Sequence, residues 1–385
     1  ILNQFSKVKV NKMKPVIRNI LRSAVYQLKY MDSVPDSAVC NEAVKLAVKK
    51  GFGTLRGFVN GVLRNVARGL DQVEYPTEGI ERLSVVYSMP EWILKLWKKT
   101  YDLDVIESML QAFQEETPVT IRCNLAKTTP ENLKESLQKE GVTVTPHPYL
   151  SYAFWIQDYD HLSELESFQK GEFYVQDISS MLVGELADPK KGDRVIDVCA
   201  APGGKALHVA EKLRGTGSVE ARDLSLYKVG LITENIERSG LTNIHAVQKD
   251  ATVCDADVKD AADLVIADLP CSGLGVLAKK TDLKYKATEQ STKELAGLQR
   301  EILKNAASYV RPGGTLIYST CTINPAENIE NVHWFLKEFP EFVLDPIADR
   351  LCSTLQNSVE EAGCLQLLPG IHKSDGFFIA RFGKK

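Results

Sequence analysis

The chain has 385 residues, enough for two or three domains with cores of their own, and its 44% hydrophobic and 25% charged content is that of an ordinary globular protein. No apolar stretch is long enough to span a bilayer as a helix and no secretory signal is visible, so no membrane partner is expected. The eight cysteines include no C-x-x-C pair and no Cys/His cluster at zinc spacing, so they read as reduced thiols of a cytoplasmic protein that holds no metal.

The net charge of −3 conceals an asymmetry. Residues 1–70 hold thirteen Lys and Arg against three acids, an excess of ten that leaves −13 for the remainder. A basic module joined to an acidic one predicts a polyanionic partner, most simply nucleic acid; the competing reading is a solvated basic face. This segment, 1–72, is predicted to be helical. Pro15 suits a first turn, with Val16, Ile20, Val25 and Leu28 following at roughly helical spacing. A second helix is expected over Asn41 to Lys50, closed by Gly51. A third is expected with Thr54 as its cap and Leu55, Phe58, Val59, Val62, Leu63 and Val66 on one face.

Residues 73–117 read as a helical linker region, with Trp92 and Trp97 in a core. From Pro118 to Asn124 the period becomes that of a strand. Thr129-Pro130-Glu131 opens a helix ending at Gly141, and Val142-Thr143-Val144 starts another strand, so 118–175 is expected to be a small α+β unit. Arg122, Tyr149, Tyr152, Phe154 and Trp155 are candidates for RNA contact there, although aromatics in a small sheet more often form its core.

From Gln176 to the end, strands alternate with helices as in a doubly wound α/β domain. The expected strands are Val195 to Val198, Ser218 to Arg222, Ile244 to Gln248, Leu264 to Ala267, Thr315 to Tyr318 and Gly376 to Arg381. The expected helices are Lys205 to Leu213, Leu226 to Ser239, Glu289 to Val310, stopped by Pro312-Gly313-Gly314, and Ala326 to Glu338.

Between the first strand and its helix lies Cys199-Ala200-Ala201-Pro202-Gly203-Gly204-Lys205. Small residues let a ligand approach the backbone, and a helix N-terminus favours negative charge. The loop is neither a Walker A loop, since Ala206 follows Gly-Lys, nor G-x-G-x-x-G. Asp223, at the end of the second strand, is placed to bind the two hydroxyls of a ribose. Asp250, after the third, can accept from an adenine amino group. S-adenosyl-L-methionine offers a ribose, an adenine and an amino-acid end suited to a helix terminus. Either acid alone would be a turn or cap residue; loop, Asp223, Asp250 and Asp268 in strand order argue against that jointly.

Two further strand ends carry thiols: Cys271 in Asp268-Leu269-Pro270-Cys271-Ser272 and Cys321 in Ser319-Thr320-Cys321-Thr322. Strand carboxyl ends are where ligands gather in such sheets, and a pair of thiols sharing one pocket suggests covalent catalysis. Taken singly, each thiol would pass for a small buried hydrophobe. The sequence motifs Val-Cys-Ala-Ala-Pro-Gly-Gly-Lys, Asp-Leu-Pro-Cys-Ser-Gly and Tyr-Ser-Thr-Cys-Thr-Ile with Glu327-Asn328 closely resemble the RNA cytosine-5 methyltransferase family. Lys14-Pro15-Val-Ile-Arg, Val34-Pro35-Asp36-Ser37 and the stretch from Phe58 to Asn65 resemble a NusB-type RNA-binding domain, N-terminally incomplete here because helices expected upstream of Ile1 are missing. The fusion resembles the RsmB (Fmu/Sun) branch.

This resemblance implies a Rossmann-like methyltransferase domain over 176–385, S-adenosyl-L-methionine as cofactor and 16S ribosomal RNA as partner, with the chain acting as a monomer. It implies that Cys321 attacks carbon 6 of a cytosine, that Cys271 serves product release, and that Asp268 hydrogen-bonds the ring edge. Lys205 would steady base and loop. Spacing alone does not rank the two cysteines. Ala206-Leu207 depart from the family's usual Thr after the loop. Cys40, Cys123, Cys254, Cys352 and Cys364 are expected to be structural, Cys199 to serve by being small, and His208 and His245 to be surface or packing residues. Two alternatives stay open: a transfer-RNA or large-subunit cytosine-5 methyltransferase, and a non-catalytic ribosome-assembly factor on a relic methyltransferase fold.

Overall fold

The computed structural model describes residues 1–385 except the side chain of Glu360. The chain divides into two compact units, Ile1–Glu78 and Gly79–Lys385.

The first unit is helical. Its main helices are Pro15–Tyr30, Asp36–Lys49 and Arg56–Gly69. In Pro15–Tyr30 the buried positions Ile17, Ile20, Leu21, Ala24 and Val25 recur at the spacing of one helix face. They meet Val39, Ala43 and Ala47 of the second helix and Val59, Val62, Leu63 and Val66 of the third. Two details differ from the sequence reading. The second helix starts five residues early, at Asp36, because Pro35 pre-sets its entry. Thr54 does not cap the third; it lies inside a short 3₁₀ turn, Gly53–Leu55, that feeds straight into it.

The second unit opens with helices Gly79–Val86, Glu91–Trp97 and Leu103–Ala112. Trp97 is fully buried and Trp92 packs beside it, as expected. This region is more than a linker: its core includes Leu274, Leu277 and Ile323, the apolar residues that follow each of the two thiol-bearing strand ends.

Next comes a four-stranded antiparallel sheet of β1 (Val119–Cys123), β2 (Thr143–Pro146), β3 (Ala153–Gln157) and β4 (Phe173–Val175), ordered β2-β3-β1-β4. One helix, Pro130–Lys139, is capped by Thr129, whose hydroxyl accepts from the Asn132 N–H. Arg122 is wholly buried, so it is no RNA contact. It pairs with Glu211 at 2.9 Å, donates to Gln176 at 2.8 Å and lies over the Tyr174 ring. Tyr149 and Phe154 are buried too, which is the core alternative for these aromatics.

The large sheet contains β5 (Arg194–Asp197), β6 (Ser218–Asp223), β7 (Ile244–Gln248), β8 (Ala262–Asp268), β9 (Val310–Thr320), β10 (Phe342–Leu344), β11 (Val359–Glu361), β12 (Cys364–Leu367) and β13 (Phe377–Lys384). Its order is β11-β12-β13-β9-β8-β5-β6-β7, with β10 beside β13. The five strands β7, β6, β5, β8 and β9 are mutually parallel; β13 returns antiparallel to β9. Alternate residues face two cores. Val195, Leu264, Ile266 and Ile317 belong to one, and Ile196, Val265, Ala267, Leu316 and Tyr318 to the other. Pro312-Gly313-Gly314 does not form a loop after the long helix Glu289–Tyr309. It lies at the start of β9, where the register against β8 shifts between Ala262 and Leu264. The order reverses at β5: the chain runs outward through β6 and β7, then crosses back to β8. A cleft opens at the carboxyl ends of strands around such a point.

Candidate active site

The turn after β5 is shaped by its own backbone. Gly203 has φ +107°, a conformation side chains resist, and it caps the helix Gly204–Lys212. The Ala200 N–H donates to the Arg222 carbonyl at 2.7 Å, and the Ala201 N–H donates to Asp223 Oδ2 at 3.1 Å, which binds the turn to the end of β6. Asp223 is buried, and its other oxygen accepts from the Leu224 N–H and from Lys228. Asp250, past the end of β7, accepts from the Thr252 hydroxyl and then its N–H, which together hold this carboxyl below the usual range.

The end of β8 presents Asp268. One oxygen lies 2.7 Å from Lys205 Nζ and the other accepts from Ser319 Oγ at 2.7 Å. Burial on its own would weaken the charge on Lys205, but Asp268, joined by Asp197 and Cys321, holds the ammonium above its ordinary pKa. Beyond Asp268, the Cys271 and Cys321 sulfurs are 3.3 Å apart. Their hydrogen bond favours the thiolate on Cys321, aided by Lys205 and Lys280 against burial and Asp268. It raises Cys271, with burial, the Cys321 charge and Glu327 acting in the same direction and the Gly273 N–H opposing. Close backbone approach fixes the Cys321 loop. Gly275 donates to the Cys321 carbonyl at 3.1 Å and accepts from the Gly376 N–H, and a Cβ on Gly275 would stand 1.9 Å from the Gly376 carbonyl oxygen.

A cleft of about 400 Å³ joins these groups. Asp223 and Asp250 line one end, and Asp268, Cys271 and Cys321 the other. Cys199 and Ala201 also face it. Ala200, Pro202, Gly203, Gly204 and Lys205 do not; they build the turn beneath, and Lys205 acts through Asp268. A larger cleft of about 860 Å³ lies on the opposite side of the segment 276–284 and contains neither thiol.

Three groups in this region carry no role in the sequence reading. Asp197, at the end of β5, is fully buried with Oδ1 on the Cys199 N–H; burial foremost, then the Asp268 charge, raises it to about 7. Lys280 lines the cleft beside the cysteines without an ion pair among the described residues. Glu327 lies fully buried between the two cysteine loops. A strand-terminal acid and an acid six residues after Ser-Thr-Cys were visible signals, but nothing in their spacing gave their partners. Of the cysteines expected to be structural, Cys40, Cys123 and Cys364 are buried, Cys352 is half-buried, and Cys254 is exposed and so forms no part of a core. His208 is buried and His245 exposed. Among the described residues no cluster of His, Cys, Asp or Glu could hold a metal, and no helix is long and apolar enough to cross a membrane.

The cleft fits S-adenosyl-L-methionine. Asp223 would offer a carboxylate to vicinal hydroxyls, Asp250 an acceptor at the base end, and Leu224, Ala251, Leu298 and Ile302 apolar walls to a flat ring. Doubly wound sheet, glycine turn and strand-end acids together define an S-adenosyl-L-methionine-dependent methyltransferase. Comparison with known proteins narrows the class. Residues 185–383 match the family described as 16S rRNA methyltransferase RsmB/F, residues 1–68 the NusB family, and residues 89–159 the RsmF/B-like ferredoxin-like domain. The chain is 37% identical over 380 residues to the probable ribosomal RNA small subunit methyltransferase B of Bacillus subtilis (strain 168), covering 98% of this chain and 85% of that one. It is 35% identical over 285 residues to ribosomal RNA small subunit methyltransferase F of Klebsiella pneumoniae (strain 342), covering 72% and 60%. Among solved structures, that of PH0851 aligns with 100% of this chain and 85% of its own, at TM-score 0.82 and 27% identity. NSun6 from Pyrococcus horikoshii with SFG aligns with 78% and 99%, at TM-score 0.68 and 25% identity. The chain belongs to the RsmB/F family of 16S rRNA methyltransferases.

Proposed function

We propose that the protein methylates carbon 5 of a cytosine in 16S ribosomal RNA through a covalent adduct with Cys321. The observation that carries this is the contact of two thiols, sulfurs 3.3 Å apart, beside the Lys205–Asp268 pair in the cleft that also holds Asp223 and Asp250. S-adenosyl-L-methionine, when bound, supplies the methyl group. Carbon 5 of cytosine is a weak nucleophile. Addition of the Cys321 thiolate to carbon 6 makes carbon 5 electron-rich, dividing one hard step into easier ones. Asp268, held by Lys205 and Ser319, hydrogen-bonds the ring edge as charge develops there. Once carbon 5 is methylated, a base takes its proton, the carbon 5–carbon 6 double bond re-forms, and the sulfur–carbon 6 bond breaks with its electron pair leaving on Cys321 as thiolate. Release is assigned to Cys271, whose sulfur touches the departing one. The target base must leave its stack to enter the cleft, at a cost of a few kcal/mol outside a loop. The basic segment 1–70 supplies phosphate contacts that are blind to sequence.

The test is methyl transfer from labelled cofactor to 16S RNA, with the label mapped to the base. Cys321→Ala is expected to abolish both methylation and adduct. Cys271→Ala is expected to leave an RNA–protein adduct that survives a denaturing gel. The opposite pattern would reverse the two roles, label confined to transfer RNA would move the substrate, and no label on any RNA would refute the reading.

A further inference from the structure

The two thiols sit in similar places, each in a loop after a parallel strand, yet their surroundings differ in charge. Beneath them lies a buried polar network centred on Glu327, in the 3₁₀ turn Pro325–Glu327. One carboxylate oxygen accepts from the Ser272 N–H at 2.8 Å and Gln299 Nε2 at 3.1 Å. The other accepts from Ser272 Oγ at 2.6 Å and Asn324 Nδ2 at 2.8 Å. Ser272 adjoins Cys271, and its hydroxyl also contacts the Thr322 hydroxyl, next to Cys321, at 2.8 Å. Gln299 donates to the Pro270 carbonyl as well and accepts from Tyr318, which itself donates to the Glu327 carbonyl. Four donors aimed at the two oxygens of a residue with no exposure suit an acceptor-only carboxylate, and among the described residues no cation pairs with it.

We propose that Glu327 is a positioning residue that decides which thiol attacks: by gripping Ser272 it seats a buried negative charge on the Cys271 side of the pair, so Cys271 keeps the shared proton and Cys321 is left as the nucleophile. This rests on the covalent mechanism proposed above and deepens it. The groups facing the pair agree. Lys205, from the helix after the cofactor turn, and Lys280, from the loop after Cys271, favour the thiolate on Cys321, and Asp268 opposes them. Glu327 acts on Cys271 together with burial, and Tyr318 lies beneath. A neutral residue at 327 would weaken the bias, leaving the part set by Lys205 and Lys280, and keep the contact between sulfurs.

The test is competitive alkylation of the free enzyme by sub-stoichiometric iodoacetamide near neutral pH, with sites mapped by mass spectrometry and exposed Cys254 as internal reference. The attacking thiolate forms the sulfur–carbon bond and iodide leaves, so labelling reports which sulfur is deprotonated. In the wild type Cys321 is expected to label at least about tenfold faster than Cys271, the ratio for one pH unit of separation. Glu327→Gln is expected to shrink that preference by about tenfold and to lower kcat similarly while leaving the KM for RNA near its wild-type value; Glu327→Asp, which keeps the charge, is expected to recover most of it. Ser272→Ala removes only one of the four bonds and is expected to give a smaller fall, about threefold, which keeps the test intact should Glu327→Gln fail to fold. Cys271 labelling first in the wild type, or a preference unmoved in these variants, would overturn the proposal. Labelling is read without RNA or cofactor, so it stands or falls separately from the methylation assay.

Discussion

Two sulfurs in contact inside a half-buried cleft cannot both be thiolates without large repulsion, so the pair shares a proton and its neighbours choose the owner. Environment sets the protonation of Asp197 in the same way: burial and the Asp268 charge raise it to about 7. A carboxyl whose folded pKa lies above its unfolded value binds more protons when folded, so its stabilising contribution is complete below about pH 4 and is lost as pH rises through about 7. Asp197→Asn removes the charge without changing the shape. The Tm difference between variant and wild type is therefore expected to shift in favour of the variant as buffers move from pH 5 to pH 8. A difference that stays flat would mean that Asp197 remains charged throughout.

At the scale of elements, the loops that carry the thiols are clamped by close backbone approach as well as by the Glu327 and Gln299 side chains. Gly275 lies where the Cys321 and Gly376 carbonyls converge, and no rotamer relieves a Cβ placed 1.9 Å from a carbonyl oxygen. Gly275→Ala is expected to cost about 2 kcal/mol or more, and, if the protein folds, to lower kcat by displacing Cys321, as checked by denaturant melts with single-turnover methylation. A companion anchor is Lys279, held between Asp177 at 3.0 Å and Asp375 at 2.6 Å, which turns Lys280 toward the cleft on the next residue. Strand-end motifs were legible in the sequence because parallel strands are apolar runs ending in polar turns. The short strands β10, β11 and β12 and the two later strands of the small sheet were not. Each is three to five residues long; the pairing of β3, β4, β10 and β12 is decided by a partner distant in the chain, β1 or β13, and β11 is held only as the edge strand beside β12.

At the scale of the whole molecule, two features carry predictions. Arg122 of β1 crosses to Glu211 on the helix that begins at the cofactor turn, both side chains buried. Removing one partner strands the other's charge, so Arg122→Ala is expected to destabilise the protein by about 3–5 kcal/mol, read by denaturant unfolding. The sequence reading offered Arg122 to RNA because an arginine in a small sheet looks exposed until the packing of that sheet is known. The excess of ten positive charges in residues 1–70 belongs to a different kind of interaction. Replacing two or three of its exposed lysines by Ala is expected to weaken 16S RNA binding and to flatten the slope of log affinity against log salt by about 0.7 for each phosphate that is no longer neutralised. An unchanged slope would place the phosphate-binding surface elsewhere.

The sequence alone determined the elements whose signal is local: the amphipathic helices, the apolar parallel strands, the glycine turn, and the identities of the acids and thiols at the strand ends. Those signals are period and composition, and they survive without any knowledge of neighbours. Only the tertiary structure decided what depends on distance between residues far apart in the chain. It set the 3.3 Å contact across fifty positions between Cys271 and Cys321, the pairing of Lys205 with Asp268, the burial of Arg122 and Asp197, and the seating of Glu327 under Ser272. The physical reason is that protonation and reactivity follow burial and neighbouring charge, and neither is a property of a residue until the fold has chosen its surroundings.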